Sequence, residues 1–306
     1  MNFLKKTCGR KSAAASLVEL LTSDTILKMP CCYDALSARL IERAGFPLTF
    51  MSGFSVAAAR LALPDAGLIS YAEMLDQGRS ICEAVSIPVI GDADTGYGNA
   101  INVKRTVQGY SRAGFACLMI EDQVSPKRCG HTKGKKVVDR GEALGRIRAA
   151  VDARQEGADI LIMARTDARA THGLDEALWR CQAFADLGAD IIFMEAPGSV
   201  DEMRRFCSEV KAATMANMLP QGVTPILPPE RLQDLGFKIV AYPLSLLSAS
   251  IVAMQSCLGS ISKGALPEDL DFEDLKDLVG FPDYYAEEEK YREQDENREG
   301  DVIDNG

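Results

Sequence analysis

The chain has 306 residues, 47% of them apolar, and a net charge of −10 from 44 acids and 34 bases. Sixteen acids and four bases fall between positions 268 and 306, a net of −12 that leaves the preceding body at +2. A chain of this size buries a full core, no apolar run approaches the ~20 residues needed to span a bilayer, and no basic face interleaved with aromatics suggests nucleic acid.

The acidic tail reads as a solvated extension with no chemistry of its own. Nine cysteines, an odd count without any Cys-x-x-Cys, point to reduced thiols rather than a disulfide framework or a zinc site. The expected compartment is therefore the cytoplasm. An organelle is the alternative, because the first eighteen residues carry Lys5, Lys6, Arg10 and Lys11 but no acid.

Short apolar runs alternate with stretches of helical periodicity along the chain. Strands are expected over 27–31, 47–51, 87–91, 116–120, 160–164 and 190–194, with weaker ones over 214–216 and 238–241. Helices fit between them. Leu36, Leu40 and Ile41 share a face over 35–44, as do Leu144, Ile147 and Val151 over 141–154, and Leu174, Ala177, Leu178, Cys181 and Phe184 over 174–187. Gly114, Gly188 and Gly236 each follow a helix, where a left-handed cap is wanted. Two further helices are expected past the eighth strand, over 246–258 and 273–292.

Eight strand–helix units with strands apolar on both faces indicate a parallel sheet. The count of eight indicates a closed (β/α)8 barrel, the TIM barrel, with additional C-terminal helices. An open doubly wound sheet would carry Gly-x-Gly-x-x-Gly after its first strand, and the stretch from Met29 to Ala35 has none. The expected organisation is an extension over 1–24, a catalytic barrel over 25–265 and a helical segment with its acidic tail over 266–306.

Barrels of this kind carry their sites at the carboxyl ends of the strands. Those ends read Ser52-Gly53, Asp92-Ala-Asp94, Glu121-Asp122, Arg165-Thr-Asp167, Glu195 and Asn217. Asp92, Asp94 and Glu121 are expected to converge, and three carboxylates that close cannot all stay ionised without a cation. Oxygen ligands with open positions suit Mg2+, or Mn2+ in its place. The competing arrangement pairs these acids with Arg165, Lys127 or helix termini. Ser52-Gly53-Phe54 and the Gly-x-Gly turn after Asp94 offer backbone N–H groups that suit an anion.

Beyond the fourth strand comes Ser125-Pro-Lys-Arg-Cys-Gly-His131, then Lys133, Lys135, Lys136 and Arg140, with no acid between Asp122 and Asp139. About sixteen residues are too many for a simple turn and suit a lid or binding loop. A lone cysteine is most often a small buried apolar residue. Cys129, however, lies among Lys127, Arg128 and His131, and cations make a thiol acidic enough to exchange a proton near neutrality. The loop reads as a mobile flap carrying an acid to a metal-bound anionic substrate. His172, before a glycine, has no assigned role.

On these residues the chain resembles the isocitrate lyase and phosphoenolpyruvate mutase superfamily, from about position 29 to 258. Lys127-Arg-Cys-Gly-His131 is similar to the superfamily's lyase signature, a highly specific motif. Leu63-Pro-Asp65, Asp92-Ala-Asp94-Thr-Gly, Ile120-Glu-Asp-Gln123, Met163-Ala-Arg-Thr-Asp167, Glu195-Ala and Ala216-Asn217 match in the same order. The resemblance implies a barrel with a swapped C-terminal helix, a homotetramer, and Mg2+-dependent chemistry on a small 2-oxo or 2-hydroxy acid. It further implies that Asp92 binds Mg2+ directly, while Asp65, Asp94 and Glu121 act through its waters. Ser52, Gly53 and Phe54 would hold the substrate carboxylate, and Arg165, Glu195 and Asn217 would line the pocket. Lys127, Cys129, Gly130 and His131 would close over it.

Phosphonate-forming mutases lack the Cys-Gly-His, so its presence resembles the carbon–carbon lyase branch. Two departures bear on the substrate. Lyases for isocitrate or methylisocitrate usually have a tyrosine where this chain has Phe50, and a glutamate where it has Pro220. Both changes remove polar groups that help handle a tricarboxylate, so the closer likeness is to the dimethylmalate and oxaloacetate lyases. The expected reaction is Mg2+-assisted cleavage of the C2–C3 bond of a dicarboxylate that is dimethylmalate-, oxaloacetate- or methylisocitrate-like. Cys129 would be the general acid, tuned by Lys127 and His131, with Asp65 or an activated water as the initial base. A phosphonopyruvate or carboxyphosphonoenolpyruvate phosphorylmutase is the alternative, and a non-catalytic binding barrel the next. A Schiff-base aldolase would need a lysine at a strand end, whereas Lys238 starts a strand. The expected partners are the dicarboxylate and further copies of the chain, without nucleic acid or membrane.

Overall fold

The computed structural model describes residues 11–130 and 134–303. Eight parallel strands close into a barrel in sequence order. They are β1 (Leu27–Cys32), β2 (Thr49–Met51), β3 (Val89–Asp92), β4 (Cys117–Glu121), β5 (Leu161–Thr166), β6 (Ile191–Met194), β7 (Ala213–Asn217) and β8 (Ile239–Tyr242). Closure is made by β8 on β1, with Leu27 opposite Ile239 and Pro30 opposite Tyr242. The (β/α)8 barrel expected from the strand count is thus the fold, the two weak strands included.

The helices are α1 (Ala13–Leu21), α2 (Ala35–Arg43), α3 (Gly53–Leu61), α4 (Tyr71–Ala84), α5 (Ala100–Arg112), α6 (Arg140–Gln155), α7 (Ala168–His172), α8 (Leu174–Asp186), α9 (Val200–Glu209), α10 (Pro229–Leu235), α11 (Ser245–Ile261), α12 (Phe272–Val279) and α13 (Phe281–Ile303). Among the described residues, no helix is long and apolar enough to cross a membrane. The eight cysteines among them are free thiols; Cys8 lies outside the described residues.

Strand boundaries move by one or two residues from the expected ones for a local reason. Pro47 and Pro88 have no N–H to give a ladder, so β2 starts at Thr49 and β3 at Val89. Pro88 still contributes its carbonyl, which accepts the Thr49 N–H at 3.1 Å. The helix expected over 273–292 is two helices. Gly280 (φ 95°) ends α12 with a left-handed cap, and α13 begins at the next residue.

Period-two alternation decides what points into the barrel. Cys117 and Met119 of β4 belong to the inner cluster, whereas Leu118 and Ile120 pack outward against the helix layer. Leu161 and Met163 of β5, Ile191 and Phe193 of β6, and Met215 of β7 continue the inner set. Carried one step further, the same parity turns Ser52, Asp92, Glu121, Arg165, Glu195 and Asn217 inward at the carboxyl rim. Asp122 and Thr166 take the opposite parity and face the helices. At the other end Leu17 of α1, fully buried, joins this inner cluster and plugs the barrel. The apolar stripe of Ala14 and Leu17 that seats α1 lies in the region expected to be a mere extension.

The chain divides into two compact units, residues 11–250 and the part from Ile251 onward. In the second unit α11 continues to Ile261, and α12 starts on a cap in which Asp271 accepts the Glu273 N–H at 2.8 Å. Tyr284 and Tyr285 meet edge-on at 5.9 Å. Val252, Met254, Leu258, Leu266 and Phe272 are exposed.

Candidate active site

A cleft opens at the carboxyl rim. Ser52, Phe54, Asp65, Asp92, Cys129, Gly130, Arg165, Glu195 and Asn217 all line it. Gly53, Asp94, Glu121 and Lys127 stand behind that lining. His131 lies outside the described residues. The rest of the wall is apolar, made by Phe50, Met119, Phe193, Met215, Leu219 and Leu244 among others.

The three acids expected to converge lie close enough for Asp92 to raise both Asp94 and Glu121, and two of them also take a cation partner. Asp94 pairs with Lys127 Nζ at 3.0 Å, and Glu121 with Arg165 Nε at 3.3 Å. Among the described residues, Asp92 receives backbone donors only: the Asp94 N–H at 3.0 Å and the Gly53 N–H at 3.2 Å. A Cβ at position 53 would come within 2.6 Å of Asp92 Oδ2, so glycine is required for that approach. Among the described residues, no three acid, thiol or imidazole groups are drawn tightly enough to hold a metal ion by themselves.

The charge balance nevertheless favours a cation. Asp65, Asp92, Asp94, Glu121, Asp122, Asp167 and Glu195 have buried side chains, against Lys127, Lys135, Arg146, Arg165 and Arg180 among the described residues. Asp92, facing the cleft, has no cation at ion-pair distance among them, and Glu121 Oε1 is buried without a hydrogen-bond partner. Burial, opposed by Lys127 and reinforced by Asp92 and Asp65, pushes Asp94 up to about 6. Burial likewise raises Glu121 well above the usual carboxylate range, against the pull of Arg165. Such a donor set fits Mg2+, which takes one or two carboxylates directly and keeps several waters.

On the β5–β6 side, Arg165 is a hub. Its Nε donates to Asp167 Oδ2 at 2.9 Å, and its Nη2 pairs with Glu195 Oε2 at 3.1 Å. Glu195 also accepts the N–H of Ala196 at 3.0 Å, and Ala196 takes φ 57° to give it. A non-glycine residue in this region is sparsely populated and clusters at functional sites. Asn217 Oδ1, at the end of β7, is buried and lacks a partner, so a cleft ligand with a donor would find it open.

The loop after β4 is pinned at several points. Gln123 accepts the Arg128 N–H at 3.0 Å and donates to its carbonyl at 2.8 Å. The Cys129 N–H reaches the Asp65 carbonyl at 3.2 Å. Lys127 Nζ meets Asp65 Oδ1 at 2.5 Å as well as Asp94. Although burial works against the ammonium, Asp94, Asp92, Glu121 and Asp65 together raise Lys127 well above its ordinary value. Gly130 seats directly on the Arg165–Glu195 pair, where an added Cβ would lie 2.4 Å from Glu195 Oε2.

Four positioning residues escaped the sequence reading of the site: Gln123, Asp122, Asp167 and Lys135. The first three lie inside the motif stretches, so the signal was present without a role. Asp122 accepts from Thr166 Oγ1 at 2.6 Å, the Asp167 N–H at 2.9 Å and Arg180 Nη1 at 3.0 Å, which locks the end of β5. Its outward parity explains the omission.

Known proteins bear directly on this arrangement. The family model for phosphoenolpyruvate phosphomutase matches residues 17–262. The 2,3-dimethylmalate lyase of Eubacterium barkeri is 41% identical over 94% of this chain and 98% of its own. The 2-methylisocitrate lyase of Aeropyrum pernix is 42% identical over 88% and 87%. Among solved structures, oxaloacetate acetylhydrolase with the inhibitor 3,3-difluorooxalacetate superposes with a TM-score of 0.88 at 33% identity, covering 92% of this chain and 97% of that one. A 2,3-dimethylmalate lyase of the PEP mutase/isocitrate lyase superfamily gives 0.88 at 36%, covering 92% and 96%. Phosphonopyruvate hydrolase complexed with oxalate and Mg2+ gives 0.81 at 30%, covering 92% and 99%. The chain therefore belongs to the phosphoenolpyruvate phosphomutase family, among the lyases of the PEP mutase/isocitrate lyase superfamily.

Proposed function

We propose that this lyase cleaves the C2–C3 bond of a 2-hydroxy dicarboxylate bearing alkyl groups, of the 2,3-dimethylmalate type. The observation that carries the reading is the makeup of the cleft. Arg165 is the one cation lining it among the described residues, beside Asp92, Cys129 and a largely apolar wall. Two carboxylates and small alkyl groups suit that lining, whereas a third carboxylate would be buried without a cation. Phe50 and the neighbouring Met119 and Phe193 support the same choice.

Asp92, with Asp94 and Glu121 behind it, would hold Mg2+, which when bound supplies Lewis-acid stabilisation of negative charge on the C2 oxygen. The N-terminal turn of α3, from Ser52 to Phe54, binds the C1 carboxylate through the Phe54 N–H and the Ser52 hydroxyl, since the Ser52 and Gly53 N–H groups already meet the Cys32 carbonyl and Asp92. Arg165 orients the second carboxylate, and Asn217 lines the pocket. Asp65, held 2.5 Å from Lys127, is placed to take the hydroxyl proton, directly or through water. The C2–C3 bond then breaks to give pyruvate and the enediolate of propionate. Cys129 protonates that carbanion, and the loop over the cleft keeps bulk water out. The same groups act on hydrated oxaloacetate to give oxalate and acetate.

Exposed apolar side chains on α11 and α12, among them Val252, Leu258 and Phe272, support association between copies of the chain, a homotetramer by the family resemblance. Light scattering on the purified protein measures this. The function itself is tested by supplying Mg2+ with dimethylmalate, oxaloacetate, methylisocitrate, isocitrate or phosphonopyruvate and identifying the products. Pyruvate from dimethylmalate at the highest kcat/KM is the expected result. Isomerisation of phosphonopyruvate without keto-acid release, or turnover of none, overturns the reading.

A further inference from the structure

We infer that Lys135 is a positioning residue that fixes Cys129 and Gly130 over the cleft. The inference rests on the lyase reading for its kinetic consequence but not for its geometry. Lys135 does not line the cleft, yet its side chain is 5% exposed. Its ammonium donates to the Gly130 carbonyl and to Asp167 Oδ1, the latter at 2.7 Å. The adjacent Lys136 is exposed. A lysine with a surface role leaves its ammonium in water, and burying one is costly unless it is paired and hydrogen-bonded.

Asp167 is the right anchor for such a tie. It is fully buried, accepts two bonds from Arg165, and has its own N–H held by Asp122. On the opposite side of Cys129, Lys127 ties the loop to Asp65 and Asp94. Along the loop, Cys129 thus lies between two lysines whose ammonium groups are bound to carboxylates of different barrel loops. Gly130 has no slack between them, because Glu195 and Arg165 occupy the space a Cβ would take. Release of Lys135 frees one side of this arrangement and lets the thiol move relative to the reacting carbon. A displacement of about 1 Å costs on the order of 100-fold in rate.

Lys135→Met, Lys135→Arg and, as control, Lys136→Met are compared in the full-length protein with Mg2+ and 2,3-dimethylmalate. In Lys135→Met, kcat is expected to fall about 10- to 100-fold while KM stays within about twofold. Amide exchange in a peptide covering residues 128–130 rises about tenfold or more, the loss of a charge-assisted bond, while β4 is unaffected. Lys135→Arg recovers most of both, and Lys136→Met changes neither. Unchanged exchange in a folded Lys135→Met overturns the proposal, as does a rise in KM with kcat kept. If the wild type turns over no diacid, the lyase reading fails, and the exchange rates still decide the role of Lys135. If Lys135→Met does not fold, Lys135→Gln, which keeps a donor without the charge, is expected to show the same split in smaller degree.

Discussion

At the amino end of the barrel, Leu17 closes a stack of Met, Leu and Ile side chains that contains no charge, whereas at the carboxyl end seven buried carboxylates crowd around a few cations. Both ends are made by the same strands, and alternation along each strand carries the chain from one regime to the other. Met119 is followed two residues on by Glu121, Met163 by Arg165, Phe193 by Glu195. The apolar end stabilises the fold, while the charged end costs desolvation that only paired partners offset. Proteins keep such an expense where ligands are bound, so the two ends should respond to mutation in opposite ways.

The largest separation is expected from Cys129→Ser. Loss of a general acid lowers kcat about 100-fold or more, while the thermal midpoint stays within about 2 °C because the cysteine packs at the mouth and not in the core. Arg180→Met strikes behind the charged end. It strands Asp122, whose carboxylate otherwise meets Arg180 at 3.0 Å, and costs about 3–5 kcal/mol in denaturant unfolding. Activity falls with it, since Asp122 also holds the Asp167 N–H. Leu17→Ala at the opposite end costs about 2–5 kcal/mol and leaves kcat and KM of the folded protein unchanged. A drop in kcat there would erase the division between the ends.

The smallest effect concerns acid. Hydrogen bonding from Arg140 above all, and from Arg180, holds Glu176 at about 2, below the usual carboxylate range. Its folded value is depressed, so its contribution to stability is complete above pH ~4.5 and is lost as pH falls toward ~2. Unfolding curves collected from pH 6 to 2 should show Glu176→Gln slightly less stable than the wild type near neutrality, with a flatter acid limb, so that the two converge as the pH falls.

Much of this was readable in the chain itself. Runs such as Cys117 to Ile120 carry strand signal strongly enough to count eight, and the glycine caps place the intervening helices. The rim residues were legible because they follow those runs directly. Two things were not. Which of the weighed partners Asp94 takes, Lys127, depends on where a loop of about sixteen residues folds back, which no periodicity encodes, whereas Glu121 and Arg165 are direct neighbours across β4 and β5. Nor does α1 announce itself as a plug, since the helical spacing of Ala14, Leu17 and Leu21 marks an apolar face without saying which end of the barrel it covers. Lys135 was one cation among many in sequence, and only its burial beside Asp167 sets it apart.

On the proposed function, one fragment leaves as a carbanion and the loop thiol protonates it. Cleavage of 2,3-dimethylmalate in D2O with Mg2+, followed by mass and chirality measurement of the propionate, tests it most directly. The expected products are pyruvate together with propionate carrying one deuterium next to the carboxylate, in a single configuration, released at least about 100-fold more slowly by Cys129→Ser. Propionate without deuterium, label in both configurations from the wild type, or a serine variant as fast as the wild type would contradict it.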